Sequence, residues 1–207
     1  LVKAGYNIAA VVTAPDKAAG RGHKMLQSAV KQYAVAHDLK LLQPVSLKAP
    51  EFVDELRAVG ANLFIVIAFR MLPEVVWTMP ELGTFNLHAS LLPQYRGAAP
   101  IQWTVLNGDA IAGVTTMFMG EGLDTGDMLL KAETPVGENE TSGELFERLC
   151  HLGADLLIDT IEALKDETIT PIPQNEAEAS YASMLSKKDS LIDWNKTAQQ
   201  VHNQVRG

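Results

Sequence analysis

Cysteine is nearly absent from this 207-residue chain: Cys150 stands alone, so no disulfide can form within it. A single cysteine of this kind reads as a buried helix residue, not as a nucleophile. Long apolar runs are missing as well. No stretch reaches the roughly 18–20 residues that a bilayer-spanning helix needs, and no basic-then-apolar leader opens the chain. A cytoplasmic location and no membrane partner are therefore expected; a monomer is also expected. Positive charge is in deficit, with a net charge of −8. That excludes a surface coated throughout for nucleic acid but leaves room for a local basic patch. The five histidines and one cysteine show no metal-ligand spacing, so no metal is expected. Internal repeats are absent. What remains is 47% apolar and 20% charged, the composition of one sizeable soluble domain.

Strands and helices alternate along the chain. Ile8–Thr13 is short, apolar and rich in β-branched residues, and reads as a strand. Ala14–Gln27 reads as a loop rich in Gly, Lys and Arg, after which Ser28 caps a helix to about His37. Leu41–Leu42 is a short strand. Ala49–Val59 is helical, with Pro50 in the first turn, where a missing N–H costs nothing. Asn62–Phe69 is the most apolar run and the candidate central parallel strand. A short helix at Pro73–Thr78, a strand at Gly83–His88 and a helix at Ala99–Asn107 follow. Gly113–Met119 and Met128–Glu133 read as two strands around a loop holding Asp124. Thr141-x-x-Glu144 is a capping-box pattern, opening a long helix with Leu145, Leu149, Leu152 and Leu156 near helical spacing. The alternation predicts an α/β fold: an open, mostly parallel twisted sheet flanked by helices.

Two segments concentrate the chemistry. In Asn86-x-His88, residues i and i+2 of a strand share one face, so an amide donor and an imidazole project side by side. The following turn, with Pro93 and Gly97, carries the chain away and leaves room for a ligand. In Gly120–Asp127, glycines flank the carboxylates of Asp124 and Asp127. An amide donor, an imidazole and a carboxylate are the parts needed to pass an acyl group between nitrogens. Each alone has a bland explanation, as a strand-end asparagine, a structural histidine or a turn aspartate; the three together favour catalysis. For Asp127 a turn role suffices.

Asn86-x-His88, Ser90-Leu91-Leu92-Pro93, Arg96-Gly97 and Leu123-Asp124-Thr125-Gly126-Asp127 resemble the folate-dependent formyltransferase family. The 38-residue separation of Asn86 from Asp124 agrees with it. Ala14-Pro15-Asp16-Lys17, Gly20-Arg21-Gly22-His23-Lys24, Leu42-Gln43-Pro44 and Gly97–Trp103 are most similar to the members that act on a charged tRNA. The resemblance spans roughly residues 8–195. It implies a Rossmann-like catalytic domain, 10-formyltetrahydrofolate as formyl donor, and the α-amine of methionyl initiator tRNA as acceptor in translation initiation. It further implies that Asn86 and His88 stabilise a tetrahedral oxyanion while Asp124 orients His88 and manages the amine proton. Arg70, Met71 and Leu72, the turn Ser90, Leu91, Leu92 and Pro93, and Gly122 and Leu123 would hold the folate. Many of the tRNA-acting members carry glycine where this chain has Arg70. The basic segment with Lys17, Arg21, His23 and Lys24 would contact the tRNA acceptor stem, its glycines letting cations approach phosphates.

Two other classes are open on the sequence. One is an enzyme with the same donor chemistry and a small acceptor, a glycinamide ribonucleotide or a nucleotide-linked aminosugar, which has no need of the Lys17–Lys24 segment. The other is a non-catalytic folate- or RNA-binding module, for which the Asn86, His88 and Asp124 trio would be superfluous. Residues 1–170 read as the catalytic domain and 171–207 as a linker and the start of a C-terminal region. Leu1–Asn7 reads as the end of a helix stopped by Gly5, so a first strand is expected to be missing, as is a C-terminal β-barrel.

Overall fold

A computed structural model describes residues 1–19 and 24–207. The contacts divide the chain into two compact units, residues 1–64 with 69–84, and residues 65–68 with 85–207.

The first unit opens with a single 3-10 turn, Val2–Ala4, ended by Gly5 at φ 82°. Strand β1 (Val11–Val12) pairs in parallel with β4 (Leu41–Leu42). Between them β2 (Lys17–Ala19) and β3 (Lys24–Leu26) form an antiparallel ladder. The segment read as a loop from Ala14 to Gln27 thus carries main-chain pairing at both of its ends. Its composition hides this, because the ladder needs only N–H and C=O groups and no apolar side chains. Helix α1 (Ala29–Ala36) is capped by the Ser28 hydroxyl, which accepts from the Lys31 N–H at 3.1 Å. Helix α2 (Pro50–Val59) starts on its proline and stops at Gly60, φ 67°. Its stripe of Phe52, Val53 and Leu56 buries against Leu42, Leu47 and Val76. Val76 lies on the short helix α3 (Glu74–Trp77). Fully burying one such side chain contributes about 1.5–3 kcal/mol.

The second unit is built on a four-stranded sheet in the order β5 (Phe64–Ile67), β6 (Thr84–His88), β8 (Ile111–Phe118), β9 (Met128–Pro135). The α/β class expected from the alternation is present, and the sheet is mixed: β6 with β8 and β8 with β9 run antiparallel. The apolar run at Asn62–Phe69, read as a central strand, lies at the edge of this sheet, and none of its four strand residues is fully buried. Hydrophobicity alone does not distinguish a covered edge from a centre. β7 (Arg96–Gly97) pairs in parallel with β10 (Tyr181–Ala182), a partner 85 residues away. Helices α4 (Pro100–Asn107), α5 (Ser142–Lys165) and α6 (Ala198–Arg206) complete the unit.

The capping box forms as the Thr141 and Glu144 pattern predicts, and α5 runs 24 residues from it. Its Leu145, Leu149 and Leu156 pack with Val114 and Ala112 of β8, against Ile101 and Val105 of α4. Leu87 of β6 meets Gly153, where an added Cβ would lie 2.7 Å from the leucine. Cys150 is exposed, contrary to the buried reading. One residue along a helix is a 100° turn, so the position after buried Leu149 swings off the stripe. The sheet thereby has one face covered by α5. The other face carries Asn86 and His88 beside their cross-strand partners Met117 and Thr115.

No helix among the described residues is long and apolar enough to cross a membrane.

Candidate active site

β6 delivers Asn86 and His88 from the face opposite α5, two residues apart as the strand period requires. Asn86 is half-buried, and its side chain makes no hydrogen bond among the described residues. His88 is buried, 6% exposed. Its Nε2 lies 2.8 Å from the Tyr95 carbonyl. A carbonyl only accepts, so Nε2 carries the proton. Nδ1 is then the nitrogen turned toward Asp124, whose Oδ2 is 3.7 Å away. That is an ion-pair separation and too long for a direct hydrogen bond. The ring is oriented by the Tyr95 carbonyl, and Asp124 supplies charge beside it.

The turn after β6 is held from below. The Thr115 hydroxyl donates to the Ser90 carbonyl at 2.7 Å and accepts from the Leu92 N–H at 3.1 Å. Ser90 Oγ donates to the Gln94 carbonyl at 2.6 Å. Lys131 Nζ donates to the Leu92 carbonyl. Leu92 is fully buried with Met117 and Met128, and the Leu92–Pro93 bond is cis. Ser90, Leu92 and Pro93, named as folate contacts, are thus largely buried, and the Ser90 hydroxyl is already committed. Leu91 is half-exposed. Tyr95 sits at φ 58°, a conformation that a bulky L-residue rarely adopts. Its carbonyl is the one that binds His88.

Asp124 also has positive φ, 54°, which aspartate tolerates better than most residues. Its Oδ2 accepts from the Gly97 N–H at 2.9 Å. Gly97 has φ 114°, and an added Cβ would stand 2.8 Å from the Ala182 carbonyl oxygen of β10. Glycine is obligatory there on both counts. Gly122 and Leu123 are exposed on the loop before Asp124, with Leu123 at 52%.

Gln174 and Glu176 shape the site through Arg96 and carry no signal in the local motifs. Gln174 donates from Nε2 to the carbonyls of Asp124 and Gly126, each at 2.8 Å. Its Oε1 accepts from Arg96 Nε at 3.0 Å. Arg96 is fully buried and makes two further bonds to Glu176, at 2.9 and 2.8 Å. The Glu176 hydrogen bond raises the arginine pKa above its ordinary value, and Arg96 in turn lowers that of Glu176. A buried charge left unpaired is costly, and this one is matched on every side. Gln174 lies 50 residues from Asp124 in a polar stretch, where only a structure can reveal it.

Beside this cluster is a cleft of about 550 Å³ lined by residues including Tyr95, Trp103, Asp109, Glu133 and Tyr181. Tyr95 Oη donates to Asp109 at 2.6 Å and accepts from Asn107 at 2.9 Å. Burial, with Asp109, pushes the phenol up to about 12 despite the Asn107 bond, which lowers it.

Arg70, Met71 and Leu72 belong to the first unit. The Arg70 guanidinium donates to the Pro44 and Val45 carbonyls at 2.9 and 3.0 Å and lies over the Phe69 ring. Its side chain therefore clamps main chain. Leu72 packs at the margin of the α2 core, while Met71 is 66% exposed. Lys17 is exposed on β2. The neighbouring Asp16 is gripped by Lys31 at 2.6 Å and Gln43 at 3.0 Å, which anchors the strand's entry. Lys24 lies on β3; Arg21 and His23 fall outside the described residues.

A family model described as formyl transferase matches residues 2–161, and one described as formyl transferase, C-terminal domain, matches residues 184–207. The chain is 50% identical over 208 residues to the methionyl-tRNA formyltransferase of Ruminiclostridium cellulolyticum, covering 100% of this chain and 67% of that one. It is 50% identical over 211 residues to the methionyl-tRNA formyltransferase of Bacteroides fragilis, covering 100% and 65%. The chain thus spans about two thirds of the length of these curated relatives. Among solved structures it is similar to an N-formyltransferase from Helicobacter canadensis in complex with folinic acid and dTDP-3-aminofucose. The TM-score is 0.72 at 23% identity, over 99% of this chain and 72% of that one. It is also similar to HypX from Aquifex aeolicus in complex with tetrahydrofolic acid, with TM-score 0.67 at 18% identity, over 84% and 30%. At these identities the likeness is one of fold.

Proposed function

The chain belongs to the formyl transferase family, and from that premise we propose that it moves the formyl group of 10-formyltetrahydrofolate onto the α-amine of methionyl initiator tRNA. The observation that carries the reading is His88, buried and locked by Tyr95, with Nδ1 turned to the Asp124 carboxylate 3.7 Å away. The relatives' names support the tRNA acceptor. The folate ligands in two fold neighbours support the donor.

The amine nitrogen attacks the formyl carbon and a C–N bond forms. The carbonyl π pair moves onto oxygen, giving a tetrahedral oxyanion. Asn86, through its uncommitted side-chain NH₂, donates to that oxygen, and a protonated His88 Nδ1 is the second donor. A donor placed where charge develops lowers the barrier by about 2.7–4 kcal/mol. Asp124 receives the amine proton. Collapse re-forms C=O and breaks the bond to folate N10, which takes up the proton that Asp124 received from the amine as tetrahydrofolate leaves. No covalent enzyme intermediate is needed.

The acceptor reading rests on the basic segment, where Lys17 is exposed beside the Asp16 anchor. Lys17, Arg21, His23 and Lys24 contact the acceptor-stem phosphates in this reading. The match of the C-terminal model at residues 184–207 supports reading 171–207 as the start of a C-terminal region. The test is formyl transfer from 10-formyltetrahydrofolate to methionyl initiator tRNA, with glycinamide ribonucleotide and a nucleotide aminosugar as rival acceptors. Transfer to the charged tRNA alone is expected. Transfer to a small acceptor instead would leave the trio its roles and overturn the tRNA assignment.

A further inference from the structure

We propose that Gln174 is a positioning residue for the reaction, closing a ring of contacts that holds both the main chain and the carboxylate of Asp124. The inference deepens the formyl-transfer reading and rests on it. The ring runs from the Asp124 carbonyl to Gln174 Nε2 at 2.8 Å, from Gln174 Oε1 to Arg96 Nε at 3.0 Å, and from the adjoining Gly97 N–H back to Asp124 Oδ2 at 2.9 Å. The Gln174 amide can sit only one way round. A flipped amide would set its oxygen against the carbonyls of Asp124 and Gly126 and its NH₂ against a guanidinium.

Asp124 needs such a hold. At φ 54° it occupies a left-handed conformation that is sparsely populated even though aspartate tolerates it, and surrounding contacts hold it there. The flanking chain is held close to β8: the Phe118 N–H donates to the Asp127 carbonyl at 2.9 Å, and Gly126 passes so near that a Cβ there would meet the Phe118 carbonyl oxygen at 1.8 Å. Gln174 ties this loop to β7, the same strand whose Gly97 amide sets the carboxylate. Glu176 steadies the arrangement from outside by its two bonds to Arg96. A segment 50 residues downstream therefore sets where Asp124 stands relative to His88.

Two variants of the full natural chain test this. Gln174→Met keeps the volume and packs toward Met117, whose sulfur is 3.9 Å from Nε2, but makes none of the three bonds. Gln174→Glu keeps an oxygen for Arg96 but replaces the donation to the loop with an oxygen facing the Asp124 and Gly126 carbonyls. Both are expected to lower kcat about tenfold to a hundredfold, the scale an ångström of misplacement costs, with KM for 10-formyltetrahydrofolate little changed. Both are also expected to speed hydrogen exchange at the Gly97 amide, which a purely global loss of stability would not single out. Parental kcat in Gln174→Glu, or unchanged Gly97 exchange relative to neighbouring amides in both variants, overturns the proposal. A parent protein that transfers no formyl group would overturn the reaction assignment instead, while selectively faster Gly97 exchange would still establish the ring.

Discussion

His88 gives its Nε2 proton to the Tyr95 carbonyl at 2.8 Å, and that bond decides which nitrogen is left for chemistry. Tyr95 can present its carbonyl this way because its backbone sits at φ 58°. The strain at Tyr95 and the orientation of His88 are one feature of the site.

Replacing His88 by alanine removes a group that acts in the transition state. kcat is expected to fall about 10²- to 10⁴-fold, the range for a positioned acid–base group, while donor binding by equilibrium titration changes little. An equal loss in donor affinity would point to a binding role.

Asn86 separates function from folding. Its side chain has no hydrogen-bond partner among the described residues, so Asn86→Ala is expected to change unfolding stability by no more than about 0.5 kcal/mol. Its turnover should nevertheless drop about 10²- to 10³-fold, as when an oxyanion donor is lost. Urea unfolding and single-turnover kinetics on the same preparation check both halves.

Gly97→Ala should behave oppositely. The substitution forces an L-residue to φ 114° and drives a Cβ to 2.8 Å from the Ala182 carbonyl oxygen. A cost of about 1–3 kcal/mol is expected from the backbone conformation alone. A lower urea midpoint together with reduced turnover is the expected outcome; an unchanged midpoint would mean β7 and β10 are not paired as described.

The Tyr95 phenol offers a pH test. Burial first, with Asp109 adding to it, raises its pKa to about 12 from the usual 10.0. The folded state then holds this proton more tightly than the unfolded chain. The corresponding stability is full below pH 10.0 and is lost as pH rises toward about 12. Ultraviolet titration should show a tyrosinate step near the upper value that is absent in Tyr95→Phe. A Tyr95→Phe titration identical to that of the parent would remove the Asp109 contact from the account.

Local physics made much of this protein legible from residues alone. The capping box at Thr141, the proline start of α2, the β6 strand and the long leucine stripe of α5 each depend on neighbours within a few positions. Asn86 and His88 fall on one face because any strand alternates, and the sequence determined that without help. Cys150 was misread because burial on a helix depends on which stripe meets a partner, and a 100° step is enough to leave it. The apolar run around Phe64 was legible as a strand but not as an edge, because strand order is a long-range property. Only the tertiary structure decided that Tyr95 orients His88, that Thr115 and Lys131 brace the turn, and that Gln174 and Arg96 hold Asp124. Those contacts join residues up to 78 positions apart through single polar atoms, and a polar side chain carries no mark in sequence of the partner it will meet.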